Sequence, residues 1–157
     1  MTQDATFGFP WPGSLVDGDL ALDLVEALPG DPRRGRVPML VFHMRRVADG
    51  AAMGRLDLRL ALTPALIQYG GHIAYRVEPE FRGHHYAARS VRLIMPRARE
   101  FGMDHFWVTC SPTNLASRRT CELAGGLLVD IVPLPPGATE AEPGRTGSCR
   151  YRLPLTP

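Results

Sequence analysis

The sequence contains no lysine, so arginine supplies all 18 of its basic side chains. The arginines are scattered along the chain, and the net charge is only +2. We therefore expect no nucleic-acid partner, since such proteins carry a clustered basic surface. A GC-rich genome explains the arginine bias, because arginine codons are GC-rich; selection of arginine for binding phosphate is the alternative.

Long apolar runs and cysteine-rich patterns are also missing. No apolar run approaches the roughly 18 residues of a membrane span, so we expect no membrane partner. Residues 1–9 hold no basic cluster followed by an apolar stretch, which argues against a secretory leader. Cys110, Cys121 and Cys149 lack CxxC spacing, and the five histidines lack metal-site spacing. We expect reduced thiols, no metal and a cytoplasmic location.

What the sequence does contain fits one folded domain. Its 157 residues include 45% hydrophobic and 22% charged residues, which is typical of a globular protein of this length. No repeat or change of composition divides the chain. We predict a single domain over residues 1–157, with residues 1–17, rich in proline and glycine, as an irregular N-terminal arm.

Two periodicities alternate along the chain. Patterns typical of strands cover residues 20–25, 39–47, 56–60, 73–77, 106–110, 127–134 and 149–153. Helical spacing covers residues 86–101, where Pro96 should kink or break the helix, and residues 114–124. Residues 63–71 are predicted to be a connection. This order predicts an α/β (α+β) fold, with a mixed sheet and helices on its faces.

The most informative segment lies between the strand at 73–77 and the following helix. A small-residue turn before a helix directs unpaired N–H groups at one place, where the helix dipole favours an anion. Arginine adds a fork for phosphate. The pattern favours a phosphate-bearing ligand as much as a plain strand–turn–helix. Its residues are Arg82, Gly83, His84, His85, Tyr86 and Ala87.

A second motif follows the next strand, where Asn114 precedes Ser117 by three residues and Gly125 by eleven. The two motifs together resemble those of the GNAT superfamily. The resemblance implies a mostly antiparallel central sheet of six to seven strands and the cofactor acetyl-CoA (coenzyme A). It implies direct transfer of an acetyl group to an amine. A non-catalytic acyl-CoA-binding module of the same fold is the alternative.

The resemblance also implies which residues bind the cofactor. The strand at 73–77 should splay from the strand at 106–110, with pantetheine along the first strand and a backbone N–H near Val77 facing the thioester. The residues implied are Tyr75, Val77, Arg82, Gly83, His84, His85, Tyr86, Ala87, Asn114 and Ser117. His85 stands where the family has a glycine, so its side chain should either crowd the pyrophosphate or bind it.

Catalytic residues carry over less directly. Cys121 occupies the position of a tyrosine that many members use as the general acid, which makes it the candidate acid. Gly71 occupies the position of a glutamate base. Its neighbour His72, which titrates near neutrality, is the candidate base, and Glu78 and Tyr75 are further candidates.

The sequence predicts the acceptor only by class, as a small-molecule or peptide amine. Residues 26–38 are too short for the paired helices that form one acceptor wall in the family. We therefore expect an open site or one completed by another subunit, which leaves a homodimer open. Arg59 either meets a substrate carboxylate or pairs with Asp57.

Overall fold

The computed structural model describes residues 11, 13–135 and 144–155. The strands assigned in them are β1 (Leu15–Asp17), β2 (Leu20–Leu28), β3 (Met39–Arg46), β4 (Ala52–Arg59), β5 (Ile73–Val77), β6 (His105–Cys110), β7 (Leu127–Pro133) and β8 (Gly147–Pro154). The α-helices are α1 (Pro64–Tyr69), α2 (Tyr86–Glu100) and α3 (Leu115–Leu123). Short 3-10 helices cover Pro32–Arg34 and Pro79–Phe81.

The strands form two antiparallel sheets. One has five strands in the order β1-β2-β3-β4-β5, and the other has three in the order β6-β8-β7. Every strand pair among the described residues is antiparallel. The predicted α+β fold with helices on a mostly antiparallel sheet is confirmed, although the described residues form two sheets rather than one central sheet and have eight strands rather than six to seven.

The additional strand is β1, which corrects the prediction of an irregular arm over residues 1–17. Leu15 pairs with Leu22 on β2, and Asp17 pairs with Leu20. A three-residue strand is too short to show an alternating pattern, so its sequence did not reveal it. Residues 1–10 and 12 of the predicted arm lie outside the described residues.

Helix α1 corrects the predicted connection at residues 63–71. The Thr63 side chain caps it by accepting a hydrogen bond from Leu66 N at 3.3 Å. Pro64 occupies the first turn, where its missing N–H has no helical partner to lose. Proline therefore starts a helix here, whereas the sequence pattern predicts a connection.

Helix α2 continues through Pro96, so the predicted local break is absent. Proline removes one N–H donor from the helix, but the core-facing side of α2 remains buried on both sides of it. Ile94 and Ala98 are fully buried. Burial of this face holds the helix where propensity alone would interrupt it.

The core lies against the five-stranded sheet and continues into the smaller sheet. Its largest buried side chains include Leu20, Leu22, Leu40, Phe42, Leu56, Leu58, Ile94, Phe106 and Tyr151. The core fixes the positions of β5, β6, α2 and α3 around one cleft.

Strand β2 extends three residues past its predicted end, because a bulge between Leu24 and Glu26 interrupts the alternation that marks a strand.

Candidate active site

Strands β5 and β6 belong to different sheets and splay apart. They meet at an isolated bridge between Gly71 and Val108, where His72 N donates a hydrogen bond to Trp107 O at 2.7 Å. Beyond this bridge, β5 pairs with β4 and β6 pairs with β8. The splay is the one that the resemblance implies, and it opens a cleft between the sheets.

Two cavities open from this cleft. The turn cavity, of about 510 Å³, lies between β5, the turn before α2 and the start of α3. The cleft cavity, of about 690 Å³, lies between β5, β6 and the end of α1. Tyr75, Asn114 and Ser117 line both cavities and therefore mark their junction.

The turn before α2 has the backbone geometry of an anion site. Gly83 has a φ of +94°, and His85 takes the left-handed conformation with φ 60° and ψ 29°. His85 is the N-cap residue of α2, but no side chain caps this helix. The caps of α1 and α3, Thr63 and Asn114, both accept a hydrogen bond from a first-turn N–H. The first-turn N–H donors of α2 thus lack the side-chain partner that the other two α-helices have.

The charge of the turn cavity suits a polyphosphate. Arg76, Arg82 and Arg119 line it, and no Asp or Glu does so among the described residues. Arg82 Nε donates to Val77 O at 3.1 Å, which ties the turn to the end of β5. The sequence motifs did not reveal Arg76, which lies outside both of them, or Arg119, which lies within the second motif but is not one of its defining residues.

Most of the predicted cofactor residues meet at this cavity. Those that line it are Tyr75, Val77, Arg82, Gly83, His85, Tyr86, Ala87, Asn114 and Ser117. His84 does not line it; its ring lies 5.5 Å from the ring of Tyr86. The Tyr86 hydroxyl donates to the Asp19 carboxylate, so it anchors α2 to the β1–β2 turn.

The start of α3 supplies the other side of the junction. Asn114 Oδ1 accepts a hydrogen bond from Ser117 N at 3.1 Å. Ser117 Oγ lies 2.7 Å from the Tyr75 hydroxyl. Helix α3 ends at Leu123, and Gly125 follows with a φ of +91°, as the motif predicts. Capping by Asn114 therefore fixes the helix that holds Ser117 against Tyr75.

The Tyr75 hydroxyl on β5 lies next to Cys121, the α3 position at which the resemblance implies an acid. The hydroxyl lies 3.8 Å from Cys121 Sγ. Cys121 is 1% exposed and lines neither cavity. Its hydrogen bond to Cys110 and then its burial raise the pKa of its thiol. Burial raises the pKa of the Tyr75 phenol, which is thus held protonated in the cleft.

His72, the candidate base, also lies outside the lining of both cavities. It is 9% exposed, and its Nδ1 accepts a hydrogen bond from Trp107 N at 2.9 Å. Burial and then the nearby charges of His105 and Arg59 lower its pKa to about 4. A ring that accepts at Nδ1 and is neutral carries its proton on Nε2.

Gly71 cannot be replaced by a carboxylate without moving the backbone. Its φ is +70°, and a Cβ built on it would lie 2.4 Å from Trp107 O. The bridge that joins β5 to β6 therefore requires glycine at this position. This contact explains why the chain lacks the glutamate that the resemblance implies there.

The end of β5 directs a backbone donor into the cleft. Glu78 N donates to Met53 O at 2.8 Å, on the β4 side of the strand. Backbone N–H groups alternate in direction along a strand, so the N–H of Val77 points away from β4. That side is the one that faces the splayed cleft.

The cleft cavity is built from separate parts of the chain. Arg59, Tyr69, Thr109 and Ser111 come from β4, α1, β6 and the loop after β6. Between β2 and β3 only the 3-10 helix at Pro32–Arg34 is present, as the short segment predicted. Helix α1 supplies part of the wall, and the sequence pattern missed it.

Three further properties of the described residues concern metal ligands, membrane helices and cysteines. The described residues hold no group of three His, Cys, Asp or Glu side chains able to bind a metal ion. Within the same part of the chain, no helix has the length and hydropathy to cross a membrane. All three cysteines are free and buried.

The sequence itself identifies the class. Residues 2–126 match the family model described as an acetyltransferase (GNAT) domain. This span is most of the chain, and the protein belongs to the GNAT acetyltransferase family. A comparison with curated proteins found no match.

Solved structures share the fold at low sequence identity. The GNAT-family acetyltransferase from Bacillus anthracis has a TM-score of 0.58 and 14% identity over 73% of this chain and 66% of that one. A putative ribosomal-protein-serine acetyltransferase from Vibrio cholerae has a TM-score of 0.61 and 10% identity over 91% and 98%. The putative acetyltransferase yncA from Salmonella typhimurium, solved with its cofactor acetyl-CoA, has a TM-score of 0.56 and 14% identity over 75% and 65%. The chain spans just under two thirds of the first and third of these structures.

Proposed function

We propose that this protein is an N-acetyltransferase that moves the acetyl group of acetyl-CoA directly to an acceptor amine. The observation that carries the proposal is the junction of the two cavities at Tyr75, Asn114 and Ser117. One cavity suits a polyphosphate and the other suits a polar acceptor. A group held at the junction is reached from both sides, so transfer needs no acyl-enzyme.

The turn cavity fits coenzyme A. Its uncapped helix start and its three arginines match the pyrophosphate, and its exposed turn leaves room for the phosphates. Acetyl-CoA, when bound, supplies an activated acetyl group as a thioester. Arg82, Gly83 and Ala87 would hold its phosphates, and the β5 backbone would hold its pantetheine arm.

Val77 is the proposed oxyanion donor. Its N–H points into the cleft from the end of a strand that is fixed on its other side by β4. A donor held rigidly before the reaction stabilises developing charge without reorganisation. The Arg82 contact to Val77 O restrains the next peptide unit, which joins Val77 to Glu78.

Tyr75 and Ser117 are the proposed proton donors to the leaving sulfur. Their hydroxyls lie 2.7 Å apart at the junction, where they can hold a proton between them. A raised pKa keeps Tyr75 protonated and able to donate. For Cys121 we propose a positioning role, because it is buried behind Tyr75 and contacts its hydroxyl.

Water is the proposed base for the acceptor ammonium. His72 has its Nδ1 occupied by Trp107 N and its proton on Nε2, so neither nitrogen is free to accept a proton. We propose that His72 instead holds β5 against β6. The net reaction forms one C–N bond and breaks one C–S bond. The ammonium loses two protons, one to the leaving sulfur and one to water.

Thermal unfolding with acetyl-CoA, with adenosine diphosphate as the control, tests the cofactor site. A ligand at about one hundred times its dissociation constant stabilises by roughly 2.7 kcal/mol, which is on the order of 5–10 °C for this size. Release of free thiol in the presence of amines then tests turnover. No shift with millimolar acetyl-CoA contradicts the proposal.

The absence of a side chain at Gly71 favours a second candidate, a non-catalytic acyl-CoA-binding module. The same two measurements separate the candidates. A shift with acetyl-CoA but no thiol release from any amine identifies the binding module. The cytoplasmic location and a homodimer stay predictions.

A further inference from the structure

Among the described residues, Arg59 and Arg145 are the charged side chains that line the cleft cavity, and Arg59 comes from the end of β4. It is half-buried at the end of β4, and its Nη1 donates to Gly70 O at 3.3 Å and to Gly71 O at 3.0 Å. These two bonds hold the guanidinium beside the end of α1. Nε and Nη2 have no hydrogen-bond partner among the described residues. One edge of the fork is therefore fixed, and the other edge is available to a ligand.

No carboxylate of the described chain neutralises this guanidinium. Asp57, which the sequence offered as its partner, instead pairs with Arg55 at 2.7 Å. Asp31 is the acidic residue in the neighbouring cavity of about 490 Å³, which Arg59 also lines. Its carboxylate is engaged by Arg33 N at 3.1 Å and by the Arg34 side chain at 3.6 Å.

The rest of the cleft cavity is polar but carries no negative charge. Its described lining has no Asp or Glu, and hydroxyl-bearing side chains supply most of its polar groups: Tyr69, Tyr75, Thr109, Ser111, Thr113 and Ser117. A polycationic acceptor would meet a positive charge here with nothing to offset it. An acceptor that brings a carboxylate would meet a donor fork and a ring of neutral hydroxyls.

We propose that the acceptor is an amine that carries a nearby carboxylate, such as an amino acid or an acidic peptide, and that Arg59 binds this carboxylate. The inference rests on the proposed function, since it names the substrate class of that site. The carboxylate would take the free edge of the Arg59 guanidinium. The amine would then lie toward Tyr75, at the junction with the turn cavity.

The experiment compares pairs of acceptors that differ only in the carboxylate: methionine with methioninamide, and Ser-Asp with Ser-Asn dipeptide amides. Thiol release from acetyl-CoA is measured with the native protein, Arg59→Gln and Arg59→Lys. We expect the carboxylate member of a pair to have a KM about tenfold or more lower, because a charge-assisted bond to a carboxylate is among the stronger ones. Arg59→Gln should remove this difference through KM with little change in kcat, and Arg59→Lys should restore part of it.

The double variant Arg55→Gln/Asp57→Asn is the matched control, because it removes a complete ion pair from the same strand outside the cavity and leaves no carboxylate that could pair with Arg59. It should keep the preference. Thermal unfolding of each variant with acetyl-CoA reports whether the fold and the cofactor site remain. Equal use of both members of every pair, or a preference that Arg59→Gln leaves intact, would overturn the inference.

Calorimetric titration of the coenzyme A-saturated protein with the same pairs separates this inference from the proposed function. Preferred binding of the carboxylate compounds without turnover would contradict the acetyltransferase and keep the Arg59 site. Turnover of amides or of spermidine in preference to carboxylate compounds would keep the acetyltransferase and overturn the Arg59 site. Neither turnover nor preferential binding overturns both.

Discussion

The turn cavity and the cleft cavity meet at three residues but are built in different ways. Most of the turn cavity comes from two continuous segments, the turn at residues 82–87 and the start of α3. The cleft cavity gathers Arg59, Tyr69, Thr109 and Gly144 from four distant parts of the chain. The first can be recognised from local motifs, whereas the second exists only after the sheets have packed.

The difference matches the chemistry that we propose for each cavity. A phosphate site can be made from backbone N–H groups, so its requirement is a turn shape that a short motif encodes. An acceptor site distinguishes one amine from another through side chains, and those can come from any element that borders the cleft. Substitutions among the residues that line the cleft cavity would therefore change acceptor specificity without disturbing the turn before α2.

The largest effect is expected at Gly71, where the bridge to Val108 joins β5 to β6. Gly71→Ala places a Cβ against Trp107 O and should lower the free energy of unfolding by about 3 kcal/mol or more. Gly35→Ala is the control, because Gly35 has a φ of +66° but open space around its Cβ. It should lose only about 1 kcal/mol. Equal losses in denaturant unfolding would mean that the close approach of the strands carries no energy.

Tyr75 tests the junction itself. Tyr75→Phe removes the hydroxyl that lies between Ser117 and Cys121 and should lower kcat about one hundredfold, while acetyl-CoA affinity stays unchanged. Tyr69→Phe, which removes a hydroxyl from the cleft cavity away from the junction, should keep kcat. Because the pKa of Tyr75 is raised above its ordinary value of 10.0, kcat of the native protein should not fall as pH approaches that value. Full activity of Tyr75→Phe contradicts the assignment.

The sequence predicted the fold and the turn cavity because both depend on local patterns. Strand β5 has its predicted bounds, and the turn at Gly83 and His85 lies where the motif puts it. Helix α1 was missed because Pro64 indicates either a break or a helix start, and the packing of α1 against β6 and β8 decides between them.

The proposed proton donor, Tyr75, could not be predicted for a different reason. The motif directs attention to position 121 on α3, but the neighbouring hydroxyl comes from Tyr75 on β5, 46 residues away in sequence. Only the tertiary structure brings the two together. The partner of Arg59 was open for the same reason, since Asp57 lies near both Arg55 and Arg59 in sequence and pairs with Arg55.

The proposed role of His72, which is to hold β5 against β6, can be tested through the pH dependence of stability. The pKa of His72 is about 4 in the folded protein, and its ordinary value is 6.5. Between these two pH values His72 is protonated in the unfolded chain but neutral in the folded protein. Stability should therefore fall as pH decreases from about 6.5 to about 4, with no contribution from His72 above that window. His72→Gln, whose amide oxygen can accept from Trp107 N, should flatten this part of the stability curve. An unchanged slope in urea unfolding across the window would show that His72 is not buried as a neutral ring.

The smallest effect is expected at His85, where the change concerns the backbone of the turn before α2. A non-glycine residue in the left-handed region is strained, so His85→Gly should raise the free energy of unfolding by about 0.5–1 kcal/mol. His84→Gly is the control, because His84 has no positive φ and should lose stability through backbone entropy. The turn keeps its shape in His85→Gly, so acetyl-CoA affinity should change less than about threefold, a shift of under 1 kcal/mol. A large loss of affinity measured by calorimetry would show that the imidazole binds the phosphates, and a large gain that it crowds them. In either case the turn cavity would depend on a side chain, as the cleft cavity does.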